Sequence, residues 1–251
     1  MHSRVERNGW GTDTSETRER SAAGRSIVVG IASSPPIQPV LAKPLLRGML
    51  HQAAFAVSLV LGTLLIVASD GGRNQTAASI FASSVTVCFG MSALYHRVSW
   101  SQPLRLWMRR LDHAGIYLLI AGTYTPVCLL ALDGAWRPVA LSLVSLIAAA
   151  AIVLKFAWVA SPKWLAAAIG IALGWLGVAL LPQLATRLDP AAIVLLALGG
   201  VAYTVGALVY VRRRPDPVPS VFGYHELFHA LTIVGVSCQY VAIAFFVIHA
   251  G

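Results

Sequence analysis

Seven stretches of the chain run without a single Asp, Glu, Lys or Arg: Gly48 to Ser69, Thr76 to Tyr95, Ala114 to Leu132, Pro138 to Leu154, Trp164 to Thr186, Ala191 to Val211 and Leu227 to Gly251. Each has roughly the 17 to 25 residues that a helix needs to cross about 30 Å of hydrocarbon. Hydrocarbon offers the backbone no hydrogen-bond partners, so spans of this length predict helices that satisfy themselves internally. The expected fold is all-α, a seven-transmembrane helix bundle. Connections between the spans are too short for another domain, so residues 44–251 are expected to form one membrane domain. Residues 1–43 break the pattern. They are rich in Arg, Glu, Ser and Thr, carry almost no periodic apolar positions before Ser33-Ser34-Pro35-Pro36, and are predicted to be a disordered basic tail. The apolar run Ser26 to Ile31 is too short to be the core of a signal peptide.

Composition agrees: 57% hydrophobic against 12% charged residues is far from the balance of soluble domains. The 19 Lys and Arg all lie outside the seven spans, 16 on the side that includes the N-terminus and 3 (Arg73, Arg137, Arg187) on the other. Short basic loops stay in the cytoplasm, so the N-terminus is expected inside and the C-terminus outside. A basic rim facing anionic lipid headgroups accounts for the formal charge of +9 without a nucleic-acid partner. Cys88, Cys128 and Cys238 lie in apolar spans, form no CxxC pair and read as packing residues.

Alternating helices then set the depth of every ionisable residue. The second helix ends inside at Tyr95-His96, the third begins inside at Asp112-His113, and the seventh begins inside with Tyr224-His225-Glu226-Leu227-Phe228-His229. His96, Asp112, His225 and His229 therefore share one membrane level. His225 and His229, four apart, fall on one helical face and belong to a literal HExxH, a pattern expected by chance only about 0.003 times in such a chain. With His96 they offer three imidazole nitrogens and leave a fourth position for water, the arrangement of a catalytic zinc site. Asp112 would stand beside the metal or hold its water, and Ser92, one turn before His96, could orient a ligand or stabilise an oxyanion. Ionisable residues clustered at a bilayer edge are costly and usually functional. His51, His113 and His249, each taken alone, read as interfacial residues satisfied by water and headgroups. Gly170, Gly174 and Gly177 and the stretch Gly122 to Pro126 read as close helix packing and a kink.

At these residues the chain resembles the hemolysin III family, within the progestin and adipoQ receptor group and the wider CREST superfamily of membrane hydrolases. Ser92-Ala93-Leu94-Tyr95-His96 is similar to its Ser-x-x-x-His motif. Arg110 to Tyr117, continuing through Ile120 to Pro126, is similar to its third-helix signature, and Tyr224 to His229 to its seventh. The likeness extends over residues 44–251. It implies a zinc ion held by His96, His225 and His229, with Asp112 acting through water. Bacterial members often carry acidic and Asn/Thr residues before the first-helix histidine, where this chain has Arg47-Gly48-Met49-Leu50.

The leading expectation is a multi-pass protein of a bacterial plasma membrane, with its zinc site near the cytoplasmic face, that hydrolyses a lipid, an amide-linked one as the resemblance to ceramidase-like relatives suggests. A second is a receptor, pore or cytolytic protein in which zinc only staples helices. A third is an intramembrane protease with Glu226 as base and Asp133 as a remote third ligand, weakened because Asp133 is predicted at the opposite membrane face.

Overall fold

The structure, a computed structural model, describes residues 43–250. The tail predicted over residues 1–43 lies, apart from Lys43, outside them. Seven helices among the described residues are long and apolar enough to cross a membrane: α1 (Met49–Val67), α2 (Gly72–Arg97), α3 (Gln102–Ala131), α4 (Trp136–Ala157), α5 (Lys163–Leu184), α6 (Pro190–Arg212) and α7 (Tyr224–Val247). They form the expected seven-helix membrane bundle.

Two helices depart from the predicted spans, each for a physical reason. α3 begins at Gln102, about three turns before Ala114, with Pro103 in its first turn. The absence of charge locates the part of a helix that can lie in hydrocarbon, and Arg105, Arg109, Arg110 and Asp112 continue the same helix beyond it. α5 is interrupted: an α-helix over Lys163–Trp175 passes into a 3₁₀ segment, Leu176–Leu180, and a last turn, Leu181–Leu184. Pro182 lacks the N–H that would continue the ladder. The Tyr124 hydroxyl on α3 lies 3.1 and 2.7 Å from the Leu173 and Gly174 carbonyls next to the break, so oxygens at the irregular turn meet a protein donor, as burial in a membrane requires.

Glycines divide into two groups. A side chain at Gly122 of α3 would overlap Ser84 of α2, and one at Gly115 would press on the Cys88 backbone at 3.3 Å; here small residues let two helices approach, as predicted for Gly122. Gly177 also packs closely, with the Tyr124 hydroxyl 3.0 Å from where its Cβ would be. Gly170 and Gly174, however, face open space. Their expected packing role is corrected: both line a partly open cavity, where a missing side chain keeps the space clear.

α1, α3, α5 and α7 begin at one end of the bundle, called here the basic end. The segment before α1 is fastened to the loop before α7, Leu45 N–H donating to the Ser220 carbonyl (3.0 Å) and Leu46 N–H to that of Val221 (3.1 Å). Arg47 pairs with Glu226. At the far end Asp133 pairs with Arg187, and the Asn74 amide donates to the Ile248 carbonyl (3.1 Å). The first and last helices are thus joined at one end, and α2 is joined to α7 at the other.

Candidate metal centre

The start of α7 is fixed by its caps. Glu226 Oε2 accepts from the Gly223 N–H (3.0 Å), and Asp216 Oδ1 accepts from the Tyr224 N–H (2.7 Å). With the helix beginning at Tyr224, His225 and His229 project one turn apart from one face. His96, next to last in α2, meets them: one ring nitrogen from each of His96, His225 and His229 lies within 4.8 Å of the others. His96 Nε2 and His225 Nε2 are 3.1 Å apart. Nitrogens bonded to one tetrahedral zinc at 2.0–2.1 Å would be about 3.3 Å apart, so this pair already has the spacing of two ligands. Asp112 Oδ2 on α3 stands 3.9 Å from His96 Nε2. Ser92 is buried and, with Asp112, His225 and His229, lines one cavity. Ser92, His96, Asp112, His225 and His229 therefore converge.

His51 is the residue that sequence reasoning missed. Expected at the interface, it is only 4% exposed, and its ring stacks on that of His229 at 3.7 Å between centroids and 5° between planes. Both its ring nitrogens are buried without a hydrogen-bond partner. It lines the cavity rather than the membrane interface, at a helix start tied to the loop before α7. Gly48 makes the approach possible: its φ of +80° favours glycine, and a Cβ there would come within 2.7 Å of His96 Cβ. The available signal was depth, since His51 stands one turn into the first span, which begins at the basic end where the cluster lies. His113, also expected at the interface, lines the cavity with its Nδ1 unpartnered. His249 is exposed near the far end.

Glu226 is 1% exposed and fully engaged, one carboxylate oxygen with Arg47 and the other with the Gly223 N–H. Its position in HExxH serves the helix start. Asp133, the remote ligand of the protease reading, lies in far-end ion pairs with Arg137 (3.4 Å) and Arg187.

From the histidines a cavity of about 340 Å³ extends between α3, α5, α6 and α7. Its walls are mainly apolar, with Ile116, Leu119, Ile171, Ile193 and Leu196 among them. Ligand sites commonly have this build, an apolar wall with a few convergent polar groups.

The sequence model of the family described as "Haemolysin-III related" matches residues 40–240. The chain belongs to this family. Among its relatives, the "Hemolysin-3 homolog" of Bacillus subtilis (strain 168) is 29% identical over 185 residues, covering 73% of this chain and 84% of the relative. The "Hemolysin-3" of Bacillus cereus is 28% identical over 187 residues, 74% and 82% of the two chains. Membership of the haemolysin-III-related family, together with seven apolar helices, makes this an integral, multi-pass membrane protein. In this haemolysin-III-related chain, the donor set of three imidazoles suits zinc, and a carboxylate stands beside it.

Proposed function

We propose that the protein is a zinc-dependent hydrolase acting on a lipid, including amide-linked lipids. The observation that carries this reading is the meeting of His96, His225, His229 and Asp112 at the end of an apolar cavity. The three histidines would hold the metal. Bound zinc supplies a Lewis acid that polarises a carbonyl and makes water a nucleophile near neutral pH. Asp112 takes the proton from the attacking water and returns it to the leaving nitrogen or oxygen as the acyl bond breaks. The Ser92 hydroxyl donates to the oxygen that gains charge at the carbonyl. The cavity wall holds the acyl chain and keeps bulk water out.

The site is assigned to the cytoplasmic side of a bacterial plasma membrane on the asymmetry of Lys and Arg. A reporter fused after Gly251 should be active only outside the cytoplasm; activity inside would reverse the assignment.

A second reading, a lytic or receptor protein with zinc as a staple, rests on the name Hemolysin-3 borne by relatives. The apolar cavity wall favours the hydrolase over a conducting path. The purified protein, assayed against a panel of lipid esters and N-acyl amides, should release fatty acid in a chelator-sensitive manner. Vesicle leakage with no hydrolysis of any lipid would replace the first reading with the second.

A further inference from the structure

Basic residues at a helix end usually reach toward headgroups and water, and several here do. Arg97, Arg105, Arg212, Arg213 and Arg214 are exposed. Three others turn inward. Arg109, Lys155 and Lys163 all line the cavity, at its basic end.

Lys155 is the telling residue, being only 2% exposed. Its Nζ donates to the Ser161 hydroxyl at 2.5 Å, a neutral partner. Lys163 lies with its Nζ 4.3 Å from the Tyr210 ring centroid and 5.3 Å from that of Tyr224, again facing groups without formal charge. The neighbouring Arg110 donates through Nε to the Phe156 carbonyl at 3.0 Å, which fixes this turn of α3 beside the end of α4 that carries Lys155. Among the described residues, no carboxylate lies within ion-pair distance of Arg109, Lys155 or Lys163. Asp112 is the one acidic side chain lining the cavity; it stands beside His96 and one helical turn from Arg109, which leaves Lys155 and Lys163 without a carboxylate of their own. The His113 ring, on the same wall, has a buried Nδ1 with no partner.

A buried cation without a counter-charge is costly. Lys155 is such a cation, and it lines one cavity with Arg109, Lys163, Ser161 and His113, a set of donors that suits an anion with several oxygens. We propose that Arg109, Lys155 and Lys163 form a phosphate-binding site, beside the histidine cluster in the same cavity, which receives the headgroup of an anionic amphiphile whose chain enters the cavity. The apolar walls favour a phospholipid over free phosphate as its source. The site stands whether or not the histidine cluster is catalytic.

Binding can be read by native mass spectrometry and thermal shift on the purified, metal-loaded full chain, using dioctanoyl phosphatidic acid, dioctanoyl phosphatidylcholine and inorganic phosphate. Phosphatidic acid should bind at least about tenfold more tightly than phosphatidylcholine. Lys155→Met and Lys163→Gln should each weaken it roughly tenfold with metal content unchanged. The partly exposed Lys163 supplies the test if Lys155→Met fails to fold. Binding should persist after the metal is stripped. Competition by inorganic phosphate only far above the lipid concentration supports the phospholipid source; competition at equal concentration supports the same site with free phosphate as its ligand. Equal binding of phosphatidylcholine, or full binding by folded Lys163→Gln protein, would overturn the proposal. So would loss of binding on chelation alone, which would put the anion on the metal.

Discussion

α2 and α5 show how burial works when lipid is the solvent. α5 is the more apolar of the two and much the less buried; of its α-helical part, Lys163–Trp175, Leu173 alone is fully buried. α2 buries ten residues, many small or polar, among them Ala77, Ala78, Ser84 and Ser92. In water the order would be reversed, since apolar surface is driven inside. Lipid tails solvate leucine as well as a protein interior does, so close packing and polar contact decide which helix goes to the centre. The polar helix therefore delivers His96, while the apolar one supplies a cavity wall, kept open by Gly170 and Gly174.

If chemistry belongs to the α2 side, the largest losses should come from its ligands. His96→Ala, His225→Ala and His229→Ala should each lower zinc affinity by more than about 100-fold, read by elemental analysis of folded protein; unchanged zinc in all three would sink the metal assignment. Asp112→Asn keeps the shape and removes the base, so zinc should remain and turnover fall by roughly 100-fold. A larger loss of turnover in Glu226→Gln than in Asp112→Asn would restore the protease reading.

Smaller effects test the cavity side and the stacked histidine. Gly174→Leu, which puts a side chain into open space, should lower turnover of long-chain substrates by roughly tenfold while short-chain turnover and zinc content hold; equal losses for both chain lengths would detach the cavity from substrate binding. His51→Ala should weaken zinc roughly tenfold by freeing the His229 ring. His51→Phe, which preserves a stacking partner, should recover most of that loss. Failure of Phe to do better than Ala would mean that the nitrogens of His51, rather than its ring plane, matter. Glu226→Gln should have the least effect on turnover, lowering the melting temperature instead, because it breaks the Arg47 pair while an amide oxygen can still accept from Gly223.

Much of the centre was legible in the sequence because two regular rules were enough. Charge-free spans gave the helices, and alternation put His96, Asp112, His225 and His229 at one level. Residues governed by long-range ties were not legible. The burial of His51 depends on Leu45 and Leu46 bonding to Ser220 and Val221, a contact with no local pattern. The role of Glu226 was hidden for the same reason, since its partner Arg47 lies 179 residues away. Gly170 and Gly174 misled because a small residue can permit close packing or leave a void, and only the neighbouring helices decide which. Lys155 has no local pattern that sets it apart from any lysine at the end of a span; its burial and its bond to Ser161 depend on the fold around it.

The tie between the segment before α1 and the start of α7 bears on how the molecule is made. Ribosomes release chains from the N-terminus onward, so His96 and Asp112 enter the membrane long before His225 and His229 exist. Arg47 and Leu45 must wait for the same segment, which makes these contacts ones of very high sequence separation. A nascent chain halted in the α6–α7 loop would hold one of the three histidines and no closed bundle. Metal capture would then report that synthesis had reached the last helix, and a chain truncated before Tyr224 should insert six spans and retain no zinc.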